Sequence, residues 1–148
     1  MPTTCSSSTL YSLPYLADSA RLFSSIADQE WAVFLDSGTA EKRQGCFDIF
    51  ASQPVCTLIT QGKQTRVITA HSDNISEHDP FTLVKQQLTF QQSFPEVPFN
   101  GGAIGYFGYD LGRNLETLPE IAQDAEHTPD MAVGIYQGAV VGDHQQEQ

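Results

Sequence analysis

The sequence contains no unbroken apolar run of the roughly 18 residues needed to span a bilayer as a helix, so no membrane partner is expected. Basic side chains are scarce, 7 Lys and Arg against 18 Asp and Glu, and the formal charge is −11. A phosphate backbone is recognised through lysine and arginine, so no nucleic-acid partner is expected either. The three cysteines (Cys5, Cys46, Cys56) are odd in number and lack CxxC spacing, which speaks against a disulfide framework or a zinc site. A reducing cytoplasm is the expected setting, with Cys56 in the core and Cys5 in a tail. The N-terminal MPTTCSSSTL has neither a basic region nor an apolar one and does not read as a secretory signal.

Familiar catalytic motifs are missing too. His71, His78, His127 and His144 show no i, i+4 or paired spacing, so no metal site is expected and the histidines read as solvated. No GxGxxG opens a helix after a strand, and no GxSxG surrounds Ser37. No residue is assigned a catalytic role.

What is present is a globular composition. A hydrophobic content of 40% in 148 residues is enough for a self-sufficient core. Residues 1–14 are rich in Ser and Thr and read as a loose tail, and 15–148 as one domain. The most distinctive stretch, PFNGGAIGYFGYDLGRNLETLP from Pro98 to Pro119, holds five of the eleven glycines among large aromatics. Such a mixture builds no amphipathic helix; it suits a close-packed core strand over Gly101–Tyr109, followed by a turn or short helix over Asp110–Leu118.

Elsewhere the pattern is mostly β. Asp18 is a helix N-cap candidate with Leu22, Phe23 and Ile26 at helical spacing, which predicts about ten residues of helix ending near Asp28. WAVFL (Trp31–Leu35) reads as a buried strand stopped by Asp36-Ser37-Gly38, and FDIF (Phe47–Phe50) as another, with the loop Thr39–Cys46 between them. VCTLIT and QTRVIT flank Gln61-Gly62-Lys63 as a hairpin. Ala70–His78 reads as a polar connection. Asp79-Pro80 then starts a helix of about ten residues with Phe81, Val84 and Leu88 on one face. Glu116–Pro129 is acidic and loop-like, with a helical turn at Pro119–Gln123. MAVGIYQGAVV (Met131–Val141) reads as one long strand turning at Gly142-Asp143-His144. The fold class is α+β: mostly antiparallel sheets with two or three flanking helices.

Among polar residues, Ser37 reads as a turn or ligand hydrogen-bond donor. Asp48, in a short strand, either satisfies a buried donor or contacts a ligand ammonium. Asp110 and Arg113, three apart, are expected to form a local salt bridge. A small-molecule pocket between the strand ending at Ser37 and the strand starting at Phe47 is the one candidate site that the residues suggest.

Four stretches, PFNGGAIGYFGYDLGRNLETLP, WAVFLDSG, FDIFASQPVCTLIT and PDMAVGIYQGAVVGDH, resemble the N-terminal region of the aminodeoxychorismate synthase component I branch of the anthranilate synthase component I family. The resemblance implies the N-terminal portion of an anthranilate synthase component I-like fold. It also implies a longer enzyme that turns chorismate and ammonia into 4-amino-4-deoxychorismate for p-aminobenzoate and folate, with ammonia from a glutamine amidotransferase partner. Chorismate, Mg²⁺ and the catalytic groups would belong to a C-terminal region absent from these 148 residues, leaving this chain without a cofactor and inactive alone. An L-tryptophan pocket is implied at Ser37, Gln44, Gly45, Cys46, Phe47 and Asp48, although Gln-Gly-Cys stands where the family has a Tyr-Ser-Arg run. The alternatives are an anthranilate synthase N-terminal domain with a tryptophan feedback site, or a stand-alone amino-acid-binding module.

Overall fold

The structure, a computed structural model, describes residues 9–38, 47–88, 94–114, 116 and 127–147. The chain divides into two compact units, one of Met1–Pro54, Thr89–Gly102 and Tyr136–Gln148, the other of Val55–Leu88 and Ala103–Ile135.

In the first unit, strands β1 (Val33–Leu35), β2 (Phe47–Ala51) and β8 (Val140–Asp143) form an antiparallel sheet in the order β1-β2-β8. Register places Phe34 opposite Phe50, and Asp48 opposite Gly142. Because alternate residues share a face, Phe34, Phe50, Asp48 and Gly142 all point the same way. Helix α1 (Ser19–Phe23) is capped by Asp18, whose carboxylate accepts from the Arg21 amide at 3.2 Å. Ser19 and Phe23, four apart, lie on one side of α1. Phe23 stacks on Phe34 with centroids 5.1 Å apart and meets Phe50 edge-on at 5.9 Å. A Cβ built on Gly142 would come within 3.3 Å of the Ser19 hydroxyl, so α1 covers that face with an aromatic end and a polar end.

In the second unit, β3 (Cys56–Gln61), β4 (Gln64–Thr69), β5 (Ser72–Ser76), β6 (Gly102–Phe107) and β7 (Met131–Tyr136) form a sheet in the order β5-β4-β3-β7-β6. The expected hairpin is present, β3 and β4 closing at Gln61 opposite Gln64 around a two-residue loop in which Gly62 takes φ +56°. Three rows cross its core face: Thr69-Cys56-Ile135, Val67-Leu58-Val133 and Thr65-Thr60-Met131. Helix α2 (Pro80–Gln87), capped by Asp79 accepting from the Thr82 amide at 2.7 Å, adds Leu83 and Val84 to this core. The 3-10 turn Tyr109–Asn114 adds Leu111. Leu58, Met131 and Val133 are fully buried, and each such side chain is worth about 1.5–3 kcal/mol in removal from water.

Several sequence expectations are corrected. The glycine-aromatic strand β6 ends the described strand order, with Tyr106 and Phe107 exposed, and is not the core strand expected. A Cβ on Gly105 would fall 2.1 Å from the Ala132 carbonyl oxygen, and Gly108 donates its amide to the Asp130 carbonyl at 2.7 Å. The contacts descend along β7 as β6 advances, so the two run antiparallel; the glycine serves this close approach. The long strand expected from Met131 is two strands in different sheets, and Gly142-Asp143 belongs to β8. The polar connection after Thr69 contains β5, whose SDNIS is too polar to show alternation. Helix α1 spans five residues where about ten were expected, and β1 starts two residues late because Trp31 takes φ +55°. The buried face of α2 is Leu83 and Val84; Phe81 and Leu88 are exposed, and Phe81 stacks instead on Phe107 at 5.4 Å. The turn expected at Pro119–Gln123, and Cys5, lie outside the described residues.

Candidate functional site

Two residues before Phe50, on the α1-covered face of β2, Asp48 is 2% exposed. Its Oδ1 accepts from the Ser37 amide and the Ser37 hydroxyl, each at 2.8 Å. Its Oδ2 lies 2.7 Å from His144 Nε2, and His144 Nδ1 lies 2.9 Å from the Tyr15 hydroxyl. The same alternation explains the meeting with His144: Gly142 faces Asp48 across the ladder, and His144, two residues on, returns to that face. Both side chains of the His144–Asp48 pair are 2–3% exposed.

An ionised carboxylate only accepts, so Nε2 carries a proton toward Asp48. In the neutral imidazole, Nδ1 then accepts from the Tyr15 O–H, a tautomer fixed by the network. Burial alone would raise the Asp48 pKa; the Ser37 amide, Ser19 hydroxyl, His144 and Ser37 hydroxyl outweigh it and bring the carboxyl down to about 2. Asp48 is therefore an anion solvated by protein donors. No buried side-chain polar atom among the described residues lacks a partner.

Of the residues expected to form a pocket, the structure joins Ser37 and Asp48 directly, and it satisfies Asp48 internally. Phe47, one position along β2, lines a different feature, a cavity of about 1080 Å³ in the same unit whose walls include Leu13, Tyr15, Phe50, Phe99 and Val141. Gln44, Gly45 and Cys46 lie outside the described residues. His144, read from sequence as solvated, is the clearest miss. Its position two residues past the strand partner of Asp48 was the available signal, but it requires the β2–β8 register. Nothing in the sequence pointed to Tyr15. Asp110 and Arg113 form the expected local pair at 2.8 Å, and Cys56 is in the core.

No group of three or more His, Cys, Asp or Glu among the described residues is arranged to hold a metal ion, and Asp48 has its donors already. No described helix is long and apolar enough to cross a membrane.

Comparison with known proteins settles the relationship. The family model described as chorismate binding enzyme matches residues 31–148. The chain belongs to the chorismate binding enzyme family. It is 45% identical over 144 residues to aminodeoxychorismate synthase component 1 of Klebsiella aerogenes, covering 94% of this chain and 32% of that protein. To the Escherichia coli (strain K12) protein of the same name it is 44% identical over 127 residues, covering 83% and 28%. The crystal structure of anthranilate synthase component I from Streptococcus pneumoniae TIGR4 matches with TM-score 0.62 and 26% identity, over 96% of this chain and 31% of that one. This chorismate-binding family chain thus has an anthranilate synthase component I-like fold of antiparallel sheets with few helices, and spans about a third of its relatives' length.

Proposed function

We propose that this chain is the N-terminal region of an aminodeoxychorismate synthase component I, with residues 15–148 as its N-terminal domain. The whole protein, in the cytoplasm, would replace the chorismate 4-hydroxyl by an amino group, using ammonia from a glutamine amidotransferase partner and Mg²⁺ held elsewhere in the longer chain. The region described here carries no catalytic group; it is a scaffold. The supporting observation is 45% identity over 94% of the chain to a synthase of that name, of which it spans 32%.

Within this reading, the resemblance implies a site for an amino acid of the tryptophan type at Ser37, Gln44, Gly45, Cys46, Phe47 and Asp48. The Ser37–Asp48 hydrogen bonds support a polar anchor there.

Product analysis of the full-length protein with chorismate, ammonia and Mg²⁺ tests the assignment. 4-Amino-4-deoxychorismate is expected; anthranilate would transfer the chain to the anthranilate synthase branch, a reading favoured by the fold neighbour. The 148-residue chain is expected to give no product, and turnover by it would overturn the scaffold role. A reading frame ending at Gln148 would instead support a stand-alone amino-acid-binding module.

A further inference from the structure

The sheet of the second unit has two end strands, and they differ in kind. At one end, β5 sets Asp73, Asn74 and two serines around Ile75, with Asp73 paired to Arg66 in the open. Polar and charged side chains of this sort keep an edge strand from pairing with another strand. At the other end, β6 reads Gly-Ala-Ile-Gly-Tyr-Phe, and no charged residue occurs from Pro98 to Tyr109. Tyr106 and Phe107 are nearly half exposed, and Tyr109 is 90% exposed. We propose that the outer edge of β6 is a docking site for a β-strand apolar on both faces, supplied by the part of the longer polypeptide beyond Gln148. The occupant rests on the reading above of this chain as one region of a longer synthase; the docking edge rests on the sheet.

Backbone groups come first. Gly108, just past β6, donates its amide to the Asp130 carbonyl, just before β7. Amides in an antiparallel ladder point alternately to one side and the other, so those of Ile104 and Tyr106 face β7 and those of Ala103, Gly105 and Phe107 face outward. Among the described residues the strand order ends at β6, and no further strand meets these three amides. Side chains then flank the edge on both faces, because neighbours along a strand alternate. Tyr106 stands on one face. On the other, Phe107 stacks on Phe81 with centroids 5.4 Å apart and planes 6° from parallel, and Phe81 is itself nearly half exposed. An added strand would cover Tyr106 with one set of alternate side chains and the Phe107–Phe81 pair with the other, while its backbone completes the ladder. Charged side chains set against these rings would lose water without gaining a partner, so the strand that fits is apolar on both faces.

Two occupants compete for this edge. A second copy would bring another formal charge of −11, with the Asp110 that follows each edge among its acids, and self-repulsion opposes that pairing. A strand of the same polypeptide is tethered, so it docks at high effective concentration and without that second charge. Enough chain is there to supply it, since these residues span 32% of the Klebsiella aerogenes synthase and 31% of the Streptococcus pneumoniae chain.

Residue-resolved amide hydrogen exchange on the full-length protein is the test. The outward amides of Ala103, Gly105 and Phe107 are expected to exchange within about tenfold of the inward amides of Ile104 and Tyr106, as in a strand paired on both sides. Outward amides that exchange more than about tenfold faster than the inward ones mark a free edge and overturn the docking. Tyr106→Lys is expected to lower the melting midpoint of the full-length protein by about 2–4 °C and to leave that of the 148-residue chain, where Tyr106 is nearly half exposed, unchanged. A midpoint that falls equally in both, or in neither, overturns the proposal; if the variant does not fold, the wild-type exchange pattern decides. Protection that appears only as protein concentration rises, with dimers in sedimentation, assigns the edge to a second copy and overturns the occupant. Paired exchange in a protein whose product is anthranilate overturns the synthase reading and leaves the docking standing. A protein that ends at Gln148 overturns both the reading and the occupant.

Discussion

The two units of this chain are held by different chemistry. In the second, the interior is almost wholly apolar among the described residues, Leu58, Met131 and Val133 being fully buried, and the buried polar side chains described there are a mutually bonded threonine pair, Thr60 and Thr65 at 2.9 Å. In the first, an ionised aspartate sits beneath α1 beside an aromatic trio, and its solvation shell is built from Ser37, Ser19 and His144. A buried anion adds little net stability over an apolar residue, but removing its partners is costly. The second unit is thus held by apolar packing, and the first by apolar packing beside one buried anion and its donors.

The sharpest way to break this contrast is Asp48→Ala. The Ser37 amide and the buried imidazole lose their acceptor, and a loss of about 3–4 kcal/mol is expected by denaturant unfolding, with amide exchange accelerated first in the first unit. Leu58→Ala is expected to cost about 3 kcal/mol through a cavity in the second unit, with exchange accelerated there. If both variants loosen the same amides, the contrast is wrong.

Acid gives the next effect. Folding holds the Asp48 carboxyl at about 2 against an ordinary 3.8, so the unfolded chain binds the proton more tightly. The resulting stabilisation, about 2 kcal/mol, is complete above the ordinary value and is lost as pH falls toward about 2. Wild type is expected to lose more stability than Asp48→Asn over that window, in melts at matched ionic strength. Thr65→Val leaves the Thr60 hydroxyl without its partner and is expected to cost about 1 kcal/mol at any pH in that range. Smallest of all, Arg66→Ala removes an exposed pair with Asp73 and is expected to leave the melting midpoint unchanged.

How much was legible in sequence follows the same division. The β3–β4 hairpin and the α2 cap were readable because their signals are local: Gly62 between two β-patterned runs, and Asp79-Pro80 before a helix. The Ser37–Asp48 neighbourhood was found as strand ends bracketing a loop. The rest depends on long-range register. His144 reaches Asp48 across 96 positions of sequence, and Tyr15 reaches His144 across 129. Likewise β6 looked like a core strand because glycine and aromatics are common to cores, yet Gly105 marks close approach to β7 on one side only. The family motifs identified the chain, and the hydrogen bonds of His144 and Tyr15 lay beyond their reach.

Amide hydrogen exchange at Ser37, compared with Val133, tests most directly whether Asp48 organises the first unit. In Asp48→Asn, which keeps the side chain's shape but removes its charge, Ser37 is expected to exchange roughly tenfold faster than in wild type while Val133 is unchanged. Unchanged exchange at Ser37, or equal acceleration at both residues, would contradict the account.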